Sequence, residues 1–221
     1  MSRRLFESCV DSLDSALSAA RGGAGRIELC ANLDADGTTP ELDLITQGAE
    51  LVSVPVSAMI RPRPGSFVYD AGEASAMERS IRAAKAAGAR GIVVGALTAH
   101  GDVDRQQMRR FCDAAHPLPV TFHRAIDAAR APIEVLDALI ALGVARVLTS
   151  GGAPTALEGV DAIARLVARA GSALTIIAGG GVRAQNVGEI VRRTGVREIH
   201  ARVSQTADVA ALVRAMDVHR E

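Results

Sequence analysis

The sequence predicts a single (β/α)8 TIM barrel over residues 1–221, and three observations predict it. Eight short apolar runs each stop at a polar, charged, sulfur-bearing or glycine residue, and a stretch with helical periodicity follows each. The helix-to-strand connections repeat: Ala87-Gly88-Ala89-Arg90-Gly91-Ile92 and Leu142-Gly143-Val144-Ala145-Arg146-Val147 are near copies, with looser versions at 22–27 and 194–199. The units average about 27 residues, the length of a strand plus its return helix rather than of a solenoid repeat. A doubly wound open sheet fits less well. Its first βα turn would be Glu7-Ser8-Cys9-Val10-Asp11, which lacks a glycine fingerprint.

The first run, Leu5–Phe6, ends at Glu7 and Cys9, and a helix over Asp11–Ala20 closes on Gly22 and Gly23. The second, Arg26–Leu29, ends at Glu28 and Cys30 and precedes a helix over Pro40–Glu50. Val54–Ile60 ends at Arg61 and Arg63. The irregular stretch Arg61–Gly72, with Pro62, Pro64 and Gly65, then separates it from a helix over Ser75–Ala87. A long βα loop on the site face is a usual place for a lid or specificity loop. Gly91–Val94 ends at Gly95 before the helix Asp104–Ala115, and Val120–Phe122 ends at His123 and Arg124 before Pro132–Leu142. Arg146–Leu148 runs into Thr149–Gly152, with Thr155 as N-cap of a helix over Ala156–Ala170. Leu174–Ile177 leads to Gly179–Gly181 and a helix over Gln185–Thr194. Glu198–His200 leads to a last helix over Ala207–Met216.

Composition excludes several function classes. Twenty-five basic residues balance twenty-five acidic ones, so there is no broad field for nucleic acid or anionic lipid. No apolar segment approaches the roughly 18 residues of a membrane span, and the amino terminus lacks a signal peptide's apolar stretch. The three cysteines, Cys9, Cys30 and Cys112, are odd in number and without CxxC spacing, which suits thiols in a reducing cytosol.

A barrel gathers its strand ends on one face, so the terminal residues of the runs are the candidate chemistry. Glu7 and Cys9 alternate with Ser8, as Glu28 and Cys30 do with Leu29, so each Glu shares a face with its Cys. On neighbouring strands they bring two carboxylates and two thiols together. Thiolates are soft donors suited to Cu(I), which accepts two or three sulfurs; as small packing residues they would need no metal. Glu7 and Glu28 need a cation, and Arg61 and Arg63 are the expected partners. The same arginines suit a carboxylate or phosphate held bidentately. His123 is a candidate general base or metal ligand, and His200 is a weaker one of the same kind. His100, His116 and His219 read as solvated, and Cys112 as packing. Ser150, Gly151 and Gly152 after the sixth strand and Gly179, Gly180 and Gly181 after the seventh could turn backbone N–H groups onto an anion.

Taken together, these segments resemble the copper homeostasis protein CutC family over about Phe6 to His200. The carrying motifs are Glu7-Ser8-Cys9-Val10-Asp11-Ser12, residues 23–33 with Glu28-Leu29-Cys30, Met59-Ile60-Arg61-Pro62-Arg63, residues 119–125 around His123, residues 148–156, and Gly179-Gly180-Gly181-Val182-Arg183. The resemblance implies a cytoplasmic barrel, commonly a homo-oligomer, linked to copper tolerance. It makes Cys9 and Cys30 the expected Cu(I) ligands, and the strand ends themselves offer Met59 or His123 as a third donor. The alternative is an enzyme or sensor for a small anionic, possibly phosphorylated, metabolite. There Arg61, Arg63 and the two glycine loops would hold the anion, and Glu7, Glu28 or His123 would move protons. Two departures from the family stand out: the loop after the eighth strand is short, and Arg202 stands where the family has a serine.

Overall fold

The computed structural model describes residues 4–217. Eight parallel strands close into a barrel in chain order: β1 (Leu5–Val10), β2 (Arg26–Leu29), β3 (Val56–Met59), β4 (Gly91–Val94), β5 (Val120–Phe122), β6 (Arg146–Thr149), β7 (Thr175–Gly179) and β8 (Glu198–Ala201). The helices α1 (Leu13–Arg21), α2 (Leu42–Leu51), α3 (Ala71–Ala86), α4 (Arg105–Ala115), α5 (Pro132–Ala141), α6 (Val160–Ala170), α7 (Val187–Thr194) and α8 (Thr206–Asp217) form the outer ring. The (β/α)8 expectation holds. None of these helices is long and apolar enough to cross a membrane.

With so few aromatics the packing falls to aliphatic side chains. The main core lies between sheet and helices, where Ile27, Leu29, Ile92, Val147 and Ile199 meet Ile45, Ile81, Met108, Leu139 and Ile190. Inside the barrel the composition changes. The positions alternating with these carry Glu7, Arg26, Glu28, Thr121 and His200, all buried. A small apolar cluster of Cys9, Cys30, Met59 and Val93 lies among them near the mouth. A polar interior is unusual for a fold whose barrel is commonly filled by branched aliphatics.

Several boundaries differ from the sequence reading. β1 continues through Val10, so Glu7 and Cys9 lie inside the strand and not beyond it. Helix α3 begins at Ala71, four residues early, because Asp70 and Glu73 form a reciprocal capping box. Helix α6 begins at Val160, not near Thr155. Thr155 still accepts the Glu158 N–H at 3.3 Å, capping a turn that precedes the helix. His219 lies outside the described residues.

Candidate functional site

Ladder register decides who meets whom. Cys9 pairs with Glu28 across β1–β2, and Glu7 pairs with Arg26 on one side and His200 of β8 on the other. The backbone N–H of Cys30 donates to the Val10 carbonyl at 2.9 Å, extending the ladder by one step. The two thiols consequently meet, with Sγ atoms 3.5 Å apart, both buried. Glu28 Oε1 lies 3.6 Å from the Cys30 sulfur. Cys9, Glu28 and Cys30 form one group of potential ligand atoms within 4.8 Å of one another, and Glu7, Glu28 and His200 form a second.

Glu28 belongs to both groups, and His200 holds the second one together. Its Nδ1 lies 2.8 Å from Glu7 Oε1 and 3.3 Å from Glu28 Oε2. The expected pairing of Glu7 and Glu28 with Arg61 and Arg63 is not what forms. Glu7 is held by Arg26, whose other nitrogen reaches Glu198 at 2.6 Å, and Glu198 also meets Arg146 at 3.4 Å. A chain of charges thus runs from the mouth down the barrel interior: His200, Glu7, Arg26, Glu198, Arg146.

The electrostatics follow from this chain. Burial alone would push the Glu7 carboxyl up, but the His200 hydrogen bond and the Arg26 charge outweigh it and bring it down to about 2. Burial and the neighbouring Cys9 sulfur push the Glu28 carboxyl up to about 8, against the pull of His200. The hydrogen bond from Cys30, helped by His200 and Arg202 against burial, brings the Cys9 thiol down to about 6. Cys30, which donates that bond and is buried, rises well above its ordinary value. Desolvation disfavours the charged His200, but Glu28, Cys9 and Glu7 overcome it and hold the imidazole protonated. The pair of cysteines therefore presents one thiolate and one thiol.

Because the Glu7 carboxyl falls from 4.5 to about 2 on folding, it contributes stability fully present above pH 4.5 and lost as pH falls through about 2. That contribution is on the order of 3 kcal/mol. Glu7→Gln is expected to flatten the acid limb of urea midpoints measured between pH 5 and 2. An unchanged limb would assign the acid sensitivity to another carboxylate.

The remaining predicted residues divide. A cavity of about 610 Å³ at the mouth is lined by Cys9, Glu28, Cys30, Met59, Arg61, His123, Gly152, Gly180 and Gly181, with His200, Arg124, Asp127, Arg183 and Arg202 among the others. Arg63 is not in it. Its guanidinium pairs with Glu73 at 2.5 Å and bonds the Ser66 and Val68 carbonyls, tying the loop after β3 to the start of α3. Cys112, on α4, is raised to about 11 mainly by burial, as befits a packing thiol.

The glycine loop after β6 is already occupied by the protein's own carboxylate. Asp127, in the loop after β5, accepts the backbone N–H of Ser150 at 3.0 Å, that of Gly152 at 3.0 Å and the Thr149 hydroxyl at 2.5 Å. The Gly151 N–H goes to Thr149 Oγ1 at 2.8 Å, and Arg124 closes the arrangement on Asp127 Oδ2 at 2.9 Å. These donors do converge on an anion, but the anion is a side chain. Gly151 has φ +77°, and a Cβ there would sit 2.4 Å from the Gly159 carbonyl oxygen, so geometry alone requires this glycine. Gly179 makes room for Leu148 and His200. Asp127→Ala strands several buried donors and is expected to cost about 2–3 kcal/mol, read as a lowered denaturant midpoint. A change below about 0.5 kcal/mol would mean that water replaces the carboxylate without cost.

Sequence reasoning missed Asp127, Arg26 and Glu198, and ranked His200 below His123. The signal for His200 was available in barrel closure, which sets β8 beside β1. Asp127, three residues after Arg124, offered no comparable pattern.

Comparison with known proteins places this geometry. Residues 4–205 match the model of the CutC family. A human copper homeostasis protein cutC homolog is 44% identical over 204 residues, covering 92% of this chain and 75% of its own length. A CutC family protein of Xanthomonas campestris pv. campestris (strain B100) is 47% identical over 210 residues, covering 95% of this chain and 87% of its own. The crystal structure of a Streptococcus agalactiae protein, described as a copper homeostasis protein CutC on a provisional basis, superposes with a TM-score of 0.86 at 33% identity. It covers 90% of this chain and 98% of its own. N-(5'-phosphoribosyl)anthranilate isomerase from Pyrococcus furiosus reaches a TM-score of 0.65 at 15% identity, covering 97% and 99% of the two chains, and shares the fold alone.

Proposed function

Because this chain belongs to the CutC family, with its copper homeostasis relatives, we propose that it binds Cu(I) between Cys9 and Cys30. The observation that carries this is the approach of two buried sulfurs to 3.5 Å at the edge of an open cavity. The donor set fits the ion: soft thiolates favour Cu(I), and one of the two is already ionised at neutral pH. Met59 belongs to the same buried cluster as the two cysteines and is the available third soft donor. His123 belongs to the opposite wall, because β5 stands four strands from β1 in a closed ring of eight.

Glu28 lies beside the second thiol at 3.6 Å, and His200 would offset the negative charge of the bound thiolates. When bound, copper supplies a cargo to be held or passed on, and the chain supplies sulfur ligands and a charge-compensated wall. All three cysteines are free, which suits a reducing compartment such as the cytosol. Assembly into a homo-oligomer belongs to the same reading, and light scattering decides it.

The test is an anaerobic Cu(I) titration of reduced protein against a competing chelator. One equivalent should be withheld from the chelator. Binding no stronger than that of a variant lacking both thiols would overturn the reading.

A further inference from the structure

A second feature of the cavity needs no copper. His123, at the end of β5, is buried, and its Nδ1 accepts the backbone N–H of Ala125 at 3.2 Å. The ring proton therefore sits on Nε2, which is buried and has no partner among the described residues. An unmet buried donor costs about 1–3 kcal/mol, so its persistence calls for an acceptor from outside the chain. The ring is held in place on several sides. Phe67 lies 5.0 Å away between centroids and Phe122 5.9 Å away. A Cβ on Gly95 would come within 2.6 Å of the ring.

Phe67 also stacks with Arg61, whose guanidinium lies 4.9 Å from the ring centroid. Arg61 is buried, and every hydrogen bond from its guanidinium goes to a neutral carbonyl: Ala35, Asp36, Gly37 and Gly65. Among the described residues no carboxylate pairs with it, although a buried charge without a counter-ion is costly. Across the mouth, Arg183 spends an N–H on the Val182 carbonyl and likewise meets no carboxylate among the described residues. The acids at the rim are engaged elsewhere, Asp127 by Arg124 and Asp36 by Arg202 at 3.3 Å.

We propose that the β3–β5 wall of the cavity is a binding subsite for the oxyanion of a small organic acid, a carboxylate or a phosphate ester. One of its oxygens accepts the His123 Nε2–H bond, its charge offsets Arg61, and Arg183 draws it to the mouth. Burial and the nearby Arg61 bring His123 down to about 3, so the ring stays neutral and serves as a fixed donor. This differs from the expectation that His123 moves a proton. The subsite is independent of the thiols, so its failure and that of the copper reading are separable.

The experiment is a titration of metal-free, reduced, 15N-histidine-labelled protein with inorganic phosphate and, separately, with malonate. A saturable shift of the His123 Nε2–H resonance by either probe, with Kd at or below about 1 mM, is the expected result. Phosphate alone would assign the phosphate-ester class, and malonate alone the carboxylates. His123→Phe should weaken binding about 10–100-fold, the equivalent of one charge-assisted hydrogen bond, and His123→Gln should recover part of it. No movement of the His123 resonance with either probe up to about 50 mM, far above the millimolar scale, would overturn the proposal. So would equal binding by a folded His123→Phe. Should that variant fail to fold, the resonance in the native chain still decides.

Discussion

Cys9→Ser is expected to weaken Cu(I) binding by more than the roughly 10–100-fold that loss of an outer-shell partner costs. Cys30→Ser should do the same, because a hydroxyl at either position removes half of a two-sulfur set. Cys112→Ser, on the α4 side of the sheet, should leave the affinity unchanged. Affinity should also report the ionisation of the pair. Cys9 ionises near pH 6 and Cys30 far above it, so copper binding as two thiolates releases one proton at pH 7–8. The logarithm of the affinity should therefore fall by about one per pH unit as pH drops toward 6. Below that, where Cys9 is also protonated, it should fall by about two. A pH-independent affinity, or equal loss in all three serine variants, would separate the copper from the thiol pair.

Arg26→Met is expected to lower unfolding free energy by about 3–5 kcal/mol, the cost of leaving a buried charge without its partner. Two acids depend on this guanidinium: Glu7, 1% exposed, and Glu198. The methionine keeps most of the side-chain volume, so the loss reports charge and not a cavity. Adding Glu7→Gln should recover part of it, since the stranded carboxylate is then gone. The two changes are in contact and should not add. A chemical denaturation series in which Arg26→Met costs under about 1 kcal/mol would show that His200 and Arg146 suffice to hold the interior acids.

The fold was legible because each strand is an apolar run with a polar stop, and the connections carry the same glycine turns. The reading of β1 stopped at Phe6 because Glu7 looks like the end of a strand. In the folded chain Arg26 and His200 absorb that charge, and the strand continues to Val10. The meeting of Cys9 and Cys30 was legible from alternation alone. The partners of the glutamates were not, because they are set by ladder register, which pairs Glu7 with residues 26 and 200. Arg61 and Arg63 lie beyond the end of β3, where register no longer governs. The glycine loop after β6 carried the right signal, donors aimed at an anion, but sequence could not say that Asp127 would supply it. The unpaired state of His123 Nε2 among the described residues depends on which ring nitrogen Ala125 engages, a detail of backbone geometry with no trace in residue order.

The measurement that bears most directly on the account is Cu K-edge X-ray absorption on protein loaded anaerobically with one equivalent of Cu(I). The account predicts a Cu(I) edge with sulfur in the nearest shell, two sulfurs, or three where Met59 joins. Loss of that shell should accompany Cys9→Ser. A nearest shell made of nitrogen and oxygen alone would contradict it and leave the paired thiols as packing in the barrel mouth.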